Sequence, residues 1–252
     1  MTDLRYIDMG KIDSSLLQAL FEVPDILDVS NPILIQSMPN KTNIVMCNLL
    51  KPEVLLHTEN IPKDVDIMRV YDNSDNARGV AYMPQDEHLT YFLCVPMGTK
   101  DIVNNLTVAS CRALRKHNVN MFTKGNDLLL LESNVPKKCA GSAHNFNFTN
   151  GCTFAVSFGL TVPQKLINDT IRFDSFKFAN KPAITDIRQI TCGLKDYKPK
   201  LTLDFATDIA IELASLYGWN YKPDSFTVDE LDLINQRDVL LNTTDWRLNG
   251  VR

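Results

Sequence analysis

The chain has 252 residues, 44% of them hydrophobic, and a formal net charge of −4, which suits one large folded domain and excludes a long disordered chain. Its longest aliphatic run, residues 128–131, is closed off by Asp127 and Glu132 and is too short to span a membrane. The first twenty residues hold Asp3, Asp8 and Asp13 without an apolar block, so a cytoplasmic protein is expected. Only ten glycines occur, which counts against a glycine-rich nucleotide loop.

Residues 4–9 read as a strand, and Asp13-Ser14-Ser15 then offers an N-cap for a short helix through Leu16, Leu17, Leu20 and Phe21. Apolar runs at 32–36, 43–47 and 65–71 read as strands, the first two separated by the polar turn Met38-Pro39-Asn40-Lys41. Residues 72–79 are polar and read as a loop, with strands again at 80–83 and 90–95. Thr99 is expected to cap a helix whose apolar positions, Ile102, Val103, Leu106, Ala109, Ala113 and Leu114, follow a 3.6-residue period. Arg115, Lys116 and His117 end it where cations suit the helix dipole. Strands follow at 119–123, 127–132, 138–144 and 152–160. A helix over 202–217 puts Phe205, Ile209, Leu213 and Leu216 on one face and stops at Gly218, and a last helix starts from Ser225 with Asp229 and Glu230 in its first turn. The result is an α+β chain around a large mixed sheet, without a regular βαβα alternation.

Charge is uneven: residues 172–200 hold seven Lys or Arg against three Asp, which suits either an acidic partner or a solvated surface. Phosphate-loop, dinucleotide, metalloprotease and serine-hydrolase motifs are absent, and nothing beyond the basic segment favours nucleic acid. His117 reads as a helix-end cation, and His57, His88 and His144 as surface or loop residues. The six cysteines form no C-x-x-C pair and read as buried free thiols rather than zinc ligands or disulfides.

The most informative text runs from 124 to 160. Asn126-Asp127 precede an apolar strand, a turn at 133–136 reverses the chain, and Lys137-Lys138 lead into the small residues Cys139-Ala140-Gly141-Ser142-Ala143. Small residues in a strand leave room for a ligand or for another backbone. A lysine pointing into such room would meet an anion, and an Asn-Asp pair offers oxygen ligands to a divalent cation. A plain hairpin with a solvated lysine is the competing account.

Asn126-Asp127-Leu128, followed by Lys138-x-x-Gly141-Ser142-Ala143 and a closing Trp246-x-x-Asn249-Gly250, resembles the lipoate–protein ligases of the biotin/lipoate ligase superfamily. The likeness spans nearly the whole chain. It takes in an early hairpin at 32–47, with Met38-Pro39 where the family has Trp-Arg. It also takes in the segment from Ile184 to Ile190, which follows a lysine-rich stretch containing Lys181. The resemblance implies a class II aminoacyl-tRNA synthetase/biotin ligase-like fold: a large mixed or antiparallel sheet flanked by helices. It further implies that residues 1–252 form a single catalytic domain without the family's C-terminal accessory domain. The family's Arg-Arg-Ser-Gly-Gly-Gly loop falls at residues 74–79, where only Gly79 is kept, with Arg78 beside it. The family histidine before Gly-Thr is Asn150.

By resemblance, the activity is ligation of lipoate or octanoate to a lysine of a lipoyl domain through an acyl-AMP formed from ATP or received ready-made. Lys138 is the expected catalytic cation. Asp127 and Asn126 are expected to hold Mg²⁺, and Arg78, Gly79, Val80, Tyr82, Ser142 and Ala143 to line the acyl-adenylate site with them. The expected partners are a lipoyl-domain acceptor and a separate accessory-domain protein, with neither nucleic acid nor membrane. The altered loop fits an inactive relative that binds a lipoyl domain or a ligase. A biotin ligase is disfavoured because its G-R-G-R-x-G-R-x-W loop is missing. A cysteine thioester route would need Cys139, Cys152 or Cys192, each better explained as a small buried hydrophobe.

Overall fold

Strands buried on both faces have to lie inside a sheet, and residues 33–39 and 88–95 are buried along their whole length. A computed structural model describes residues 2–48, 50–70, 80–125, 127–132, 134–175, 184–243 and 246–247. In chain order it contains β1 (Asp3–Ile12), α1 (Leu16–Phe21), α2 (Val23–Ile26), β2 (Ile33–Pro39), β3 (Asn43–Cys47), α3 (Pro52–Leu55), β4 (Asp66–Val70), β5 (Val80–Met83), β6 (His88–Val95) and α4 (Ile102–Lys116). There follow β7 (Met121–Lys124), β8 (Asp127–Glu132), β9 (Val135–Asn145), β10 (Cys152–Gly159), α5 (Gln164–Thr170), α6 (Leu194–Tyr197), α7 (Phe205–Tyr217), β11 (Asn220–Asp224) and α8 (Val228–Leu241).

Among the described residues, the main sheet has the order β11-β1-β2-β6-β10-β9-β8-β7. β1 runs parallel to both its neighbours and every other pair is antiparallel. A second sheet, β4-β3-β5, stands apart from it. The architecture is α+β, a mixed sheet flanked by helices. One face of the main sheet is covered by α4 and α7, which bury Leu106, Ala109, Ala113, Phe205, Ile209 and Leu213 against β6 and β10. Each large side chain among these contributes roughly 1.5–3 kcal/mol by leaving water. The other face packs against α1 and α8 and the inner side of the small sheet, through Ile33, Phe92, Phe21, Val45 and Met83. The outer side of the small sheet (Ile44, Met46, Tyr82) packs on Ile167, Ile171 and Ile187.

Several local expectations are corrected. Residues 32–47 do not form a hairpin, because β2 and β3 belong to different sheets. The end of β2 is held by other partners: the Asn40 amide donates to Ile12 O at 2.8 Å, and Pro39 O accepts from the Asp86 amide at 3.1 Å. Thr99 caps no helix; its hydroxyl donates to Pro96 O, and α4 begins after Asp101, which has φ +57°. Ser15 stands before α1 without a capping hydrogen bond and donates instead to Asp238. The last helix starts three residues after Ser225, at Val228, behind the reciprocal capping box of Thr227 and Glu230. Gly218 does end α7, with φ +66°, a left-handed conformation that glycine adopts without a Cβ penalty.

Candidate active site

The strand pair β8–β9 builds the site through an irregularity. Leu128 pairs with Ala140 and Leu129 with Lys138, so Cys139 is an extra residue and the strand bulges there. The bulge frees the Lys138 peptide from regular pairing with β8 and joins it to the segment after the 3-10 turn Ile187–Gln189. The Lys138 amide donates to Ile190 O at 2.8 Å, and its carbonyl accepts from the Cys192 amide at 3.0 Å. That turn is itself fixed by a capping box in which Asp186 accepts from the Arg188 amide and Gln189 reaches back to the Asp186 amide.

The Lys138 side chain lies over Gly141, where a Cβ would come within 3.3 Å of Lys138 Cε and Nζ. Its Nζ meets Asp127 Oδ1 at 2.6 Å, with both side chains a little under half exposed. An ion pair this exposed contributes at most about 1 kcal/mol to stability.

Behind this pair opens a cavity of about 390 Å³ between the inner face of the main sheet and the small sheet. Lys138 and Asp127 line it, as do Val80 to Met83 of β5, Gly141 to Ala143 of β9, and Ile167, Ile187 and Ile190. Apolar walls with a few polar groups at one place are the usual make-up of a small-molecule site. Strand pairing refines the expected roles. Ala143 pairs with Ala155, which also lines the cavity, and Ser142, paired with Val156, lies between Gly141 and Ala143 in the lining. Tyr82 belongs to the outer side of the small sheet. Its hydroxyl lies 2.8 Å from Thr170 Oγ1, and burial pushes its pKa up to about 12, so it is a neutral wall residue. Arg78, Gly79, Asn126 and Lys181 lie outside the described residues.

Two groups in the cavity were not anticipated from the sequence. His88 is 5% exposed on the central strand β6 and lines the cavity, correcting its reading as a surface or loop residue. Thr90 and Ser157 meet across β6 and β10 with their hydroxyls 3.1 Å apart. The other histidine readings fare differently: His117 Nε2 lies 2.8 Å from Asp208 at the end of α4, and His144, near the end of β9, stacks on Phe146 just after it. None of the six cysteines is in a disulfide, and all but Cys111 are buried. A hydrogen bond with Cys192 and then burial push the Cys139 thiol well above its ordinary pKa, and burial raises that of Cys152. Both are therefore held in the poorly nucleophilic thiol form.

Among the described residues, no three His, Cys, Asp or Glu side chains gather as a metal cage. The donor chemistry still fits Mg²⁺, which takes one or two carboxylates and fills its remaining positions with water and substrate phosphates. Asp127 is such a carboxylate.

No protein-family model matches the chain, and neither does any curated protein. Solved structures do. The ligase in a study of an archaeal lipoylation system, a bi-partite lipoate protein ligase and its E2 lipoyl domain from Thermoplasma acidophilum, superposes with a TM-score of 0.82 at 14% identity, over 100% of this chain and 98% of that one. The chain has the fold of the lipoate–protein ligases. Lipoate-protein ligase A bound with ATP gives a TM-score of 0.79 at 13% identity over the whole of both chains. P. falciparum LipL1 in complex with lipoate gives 0.71 at 14% identity, over 99% of this chain and 75% of that one. At these identities the likeness to the ligases is one of fold, and chemistry has to be argued from the cavity.

Proposed function

We propose that this protein is an acyltransferase of the lipoate–protein ligase kind, which forms or receives a lipoyl- or octanoyl-AMP and passes the acyl group to a lysine of a lipoyl domain. The observation that carries this reading is the position of Lys138: a cation tethered to Asp127 at the mouth of an apolar cavity, in a chain with the ligase fold throughout. The cavity suits a hydrocarbon tail, and the cation suits the oxygen-rich head.

In the first step a carboxylate oxygen attacks the α-phosphorus of ATP and the bond to pyrophosphate breaks. In the second, an acceptor amine attacks the acyl carbon, the acyl–phosphate C–O bond breaks, and AMP leaves with the electron pair. Negative charge builds on oxygen in both steps, and Lys138 Nζ is the group that offsets it. The Ile190 and Cys192 backbone bonds hold its main chain, Gly141 leaves the side chain room, and Asp127 fixes the direction of the amine. Asp127, with Asn126 beside it in sequence, would hold Mg²⁺, which when bound neutralises phosphate charge. The acceptor lysine has to shed its proton to solvent first, at a cost of about 4–5 kcal/mol from a reference pKa near 10.4 at neutral pH. A lipoyl domain as the acceptor follows from the ligase reading.

The test is single-turnover transfer from octanoyl-AMP to a purified lipoyl domain, followed by intact mass. Wild type should modify the domain. Lys138→Ala should lose at least roughly a hundredfold in rate, the scale of losing one aimed electrostatic group, with its thermal transition unchanged. Transfer by Lys138→Ala at the wild-type rate would overturn the assignment. Tight binding of octanoyl-AMP without turnover by wild type would leave a binding protein.

A further inference from the structure

Three cross-strand rows of the main sheet face the cavity. His88 pairs with Gly159 beside the Cys139 bulge; Thr90 pairs with Ser157 and Ser157 with Gly141; Phe92 pairs with Ala155 and Ala155 with Ala143. Polarity falls along the strands from the first row to the third, where Phe21 closes the apolar end. A ligand with one polar and one hydrocarbon end is therefore oriented by the sheet, head toward the His88 row and tail toward Phe92. Lys138 stands at the head end too. The β6 and β9 backbones are separated by β10, about 10 Å at the normal strand spacing, and Gly159 contributes no side chain between them.

His88 is the anomaly in this arrangement. Neither of its ring nitrogens has a hydrogen-bond partner among the described residues, although both are buried. Leaving a buried polar atom unpaired costs about 1–3 kcal/mol. Burial lowers the imidazole pKa to about 3, so the ring is neutral at physiological pH and offers one N–H donor and one acceptor. A neutral donor within an apolar cavity, unused by the protein, is explained by a partner that arrives with the ligand.

We propose that His88 contacts the substrate, donating a ring N–H to a head-group oxygen of the acyl adenylate from two strands away from Lys138 on the same sheet. This rests on the acyl-adenylate reading above. The oxygen belongs either to the acyl carboxyl or to the phosphate joined to it, and both present the same acceptor to the ring.

Calorimetric titration of wild type, His88→Leu and His88→Asn with octanoyl-sulfamoyladenosine, a non-hydrolysable acyl-AMP mimic, and with octanoate alone tests the proposal. His88→Leu should weaken the mimic by roughly ten- to a hundredfold, the equivalent of one lost hydrogen bond. His88→Asn, which keeps a donor, should recover most of it. His88→Leu should melt no lower than wild type, because no protein hydrogen bond is lost. A matching loss for octanoate assigns the carboxyl oxygen, and a loss confined to the mimic assigns the phosphate side. Ring ¹⁵N resonances of His88 should shift when the mimic binds. Equal affinity of His88→Leu and wild type for both ligands, or ring resonances that stay put at saturation, would sink the proposal and leave the ligase reading standing. Failure of wild type to bind either ligand would remove both.

Discussion

At the residue scale the site depends on Lys138 and on what keeps its amine in place. Gly141 is the sensitive point, since a Cβ there would sit 3.3 Å from both Cε and Nζ of Lys138. Gly141→Ala should therefore act in opposite directions on stability and activity. An alanine within a strand removes unfolded-chain entropy and should raise stability by up to about 0.5–1 kcal/mol. The displaced amine should lower transfer from octanoyl-AMP by roughly tenfold, the worth of 1.4 kcal/mol in a barrier. Parallel melting and single-turnover measurements check both signs; a variant as active as wild type would show that the position of the amine is not critical. Asp127 and Lys138 could be singled out in the sequence because their order along the chain matches the family motif. His88 could not, because a histidine in strand-like text looks the same whether it ends in water or in a cavity.

At the scale of elements, the first strand and the last helix are joined by one arginine. Arg5 Nε meets Asp224 at 2.7 Å at the end of β11, and Arg5 Nη1 meets Glu230 at 2.7 Å in the first turn of α8. Hydrogen bonds from Arg5 are the main reason why the Glu230 and Asp224 carboxyls are held below their ordinary pKa values of 4.5 and 3.8. A depressed carboxylate pKa stabilises the fold above the unfolded value, and that contribution is lost as pH falls through the folded one. Arg5→Met should thus cost about 1 kcal/mol near neutral pH, as expected for a largely solvent-screened network. The deficit should shrink below pH 4.5 and vanish once both carboxyls are protonated. Thermal melts across that range check the sign, and a gap that widened toward low pH would contradict it. The helices α4 and α7 were readable from their apolar spacing and α8 from its acidic first turn, because such signals are local. The partition of 32–47 between two sheets was not, because turn-like text between two apolar runs does not state which strand each run pairs with.

For the molecule as a whole, the cysteines separate two chemistries. Five of the six thiols are buried, and Cys111 is the intermediate one. Iodoacetamide at neutral pH should therefore label the native protein at most at Cys111, and acyl transfer from octanoyl-AMP should survive. Loss of transfer in step with labelling of Cys139, Cys152 or Cys192 would instead point to a thioester route. None of the described helices is long and apolar enough to cross a membrane.

The sequence alone determined the α+β class, most strands, the principal helices, the stop at Gly218 and, by resemblance, Asp127 and Lys138 as separate candidates. Each of these is written in residues that are neighbours along the chain or in a motif of fixed order. Tertiary structure decided that Lys138 is clamped to residues 190–192, that two sheets leave a gap between them, and that His88, Thr90 and Ser157 look into it. A cavity is the space left where faces from distant parts of a chain fail to meet. Periodicity says which side of a strand is apolar, but not what will stand opposite it.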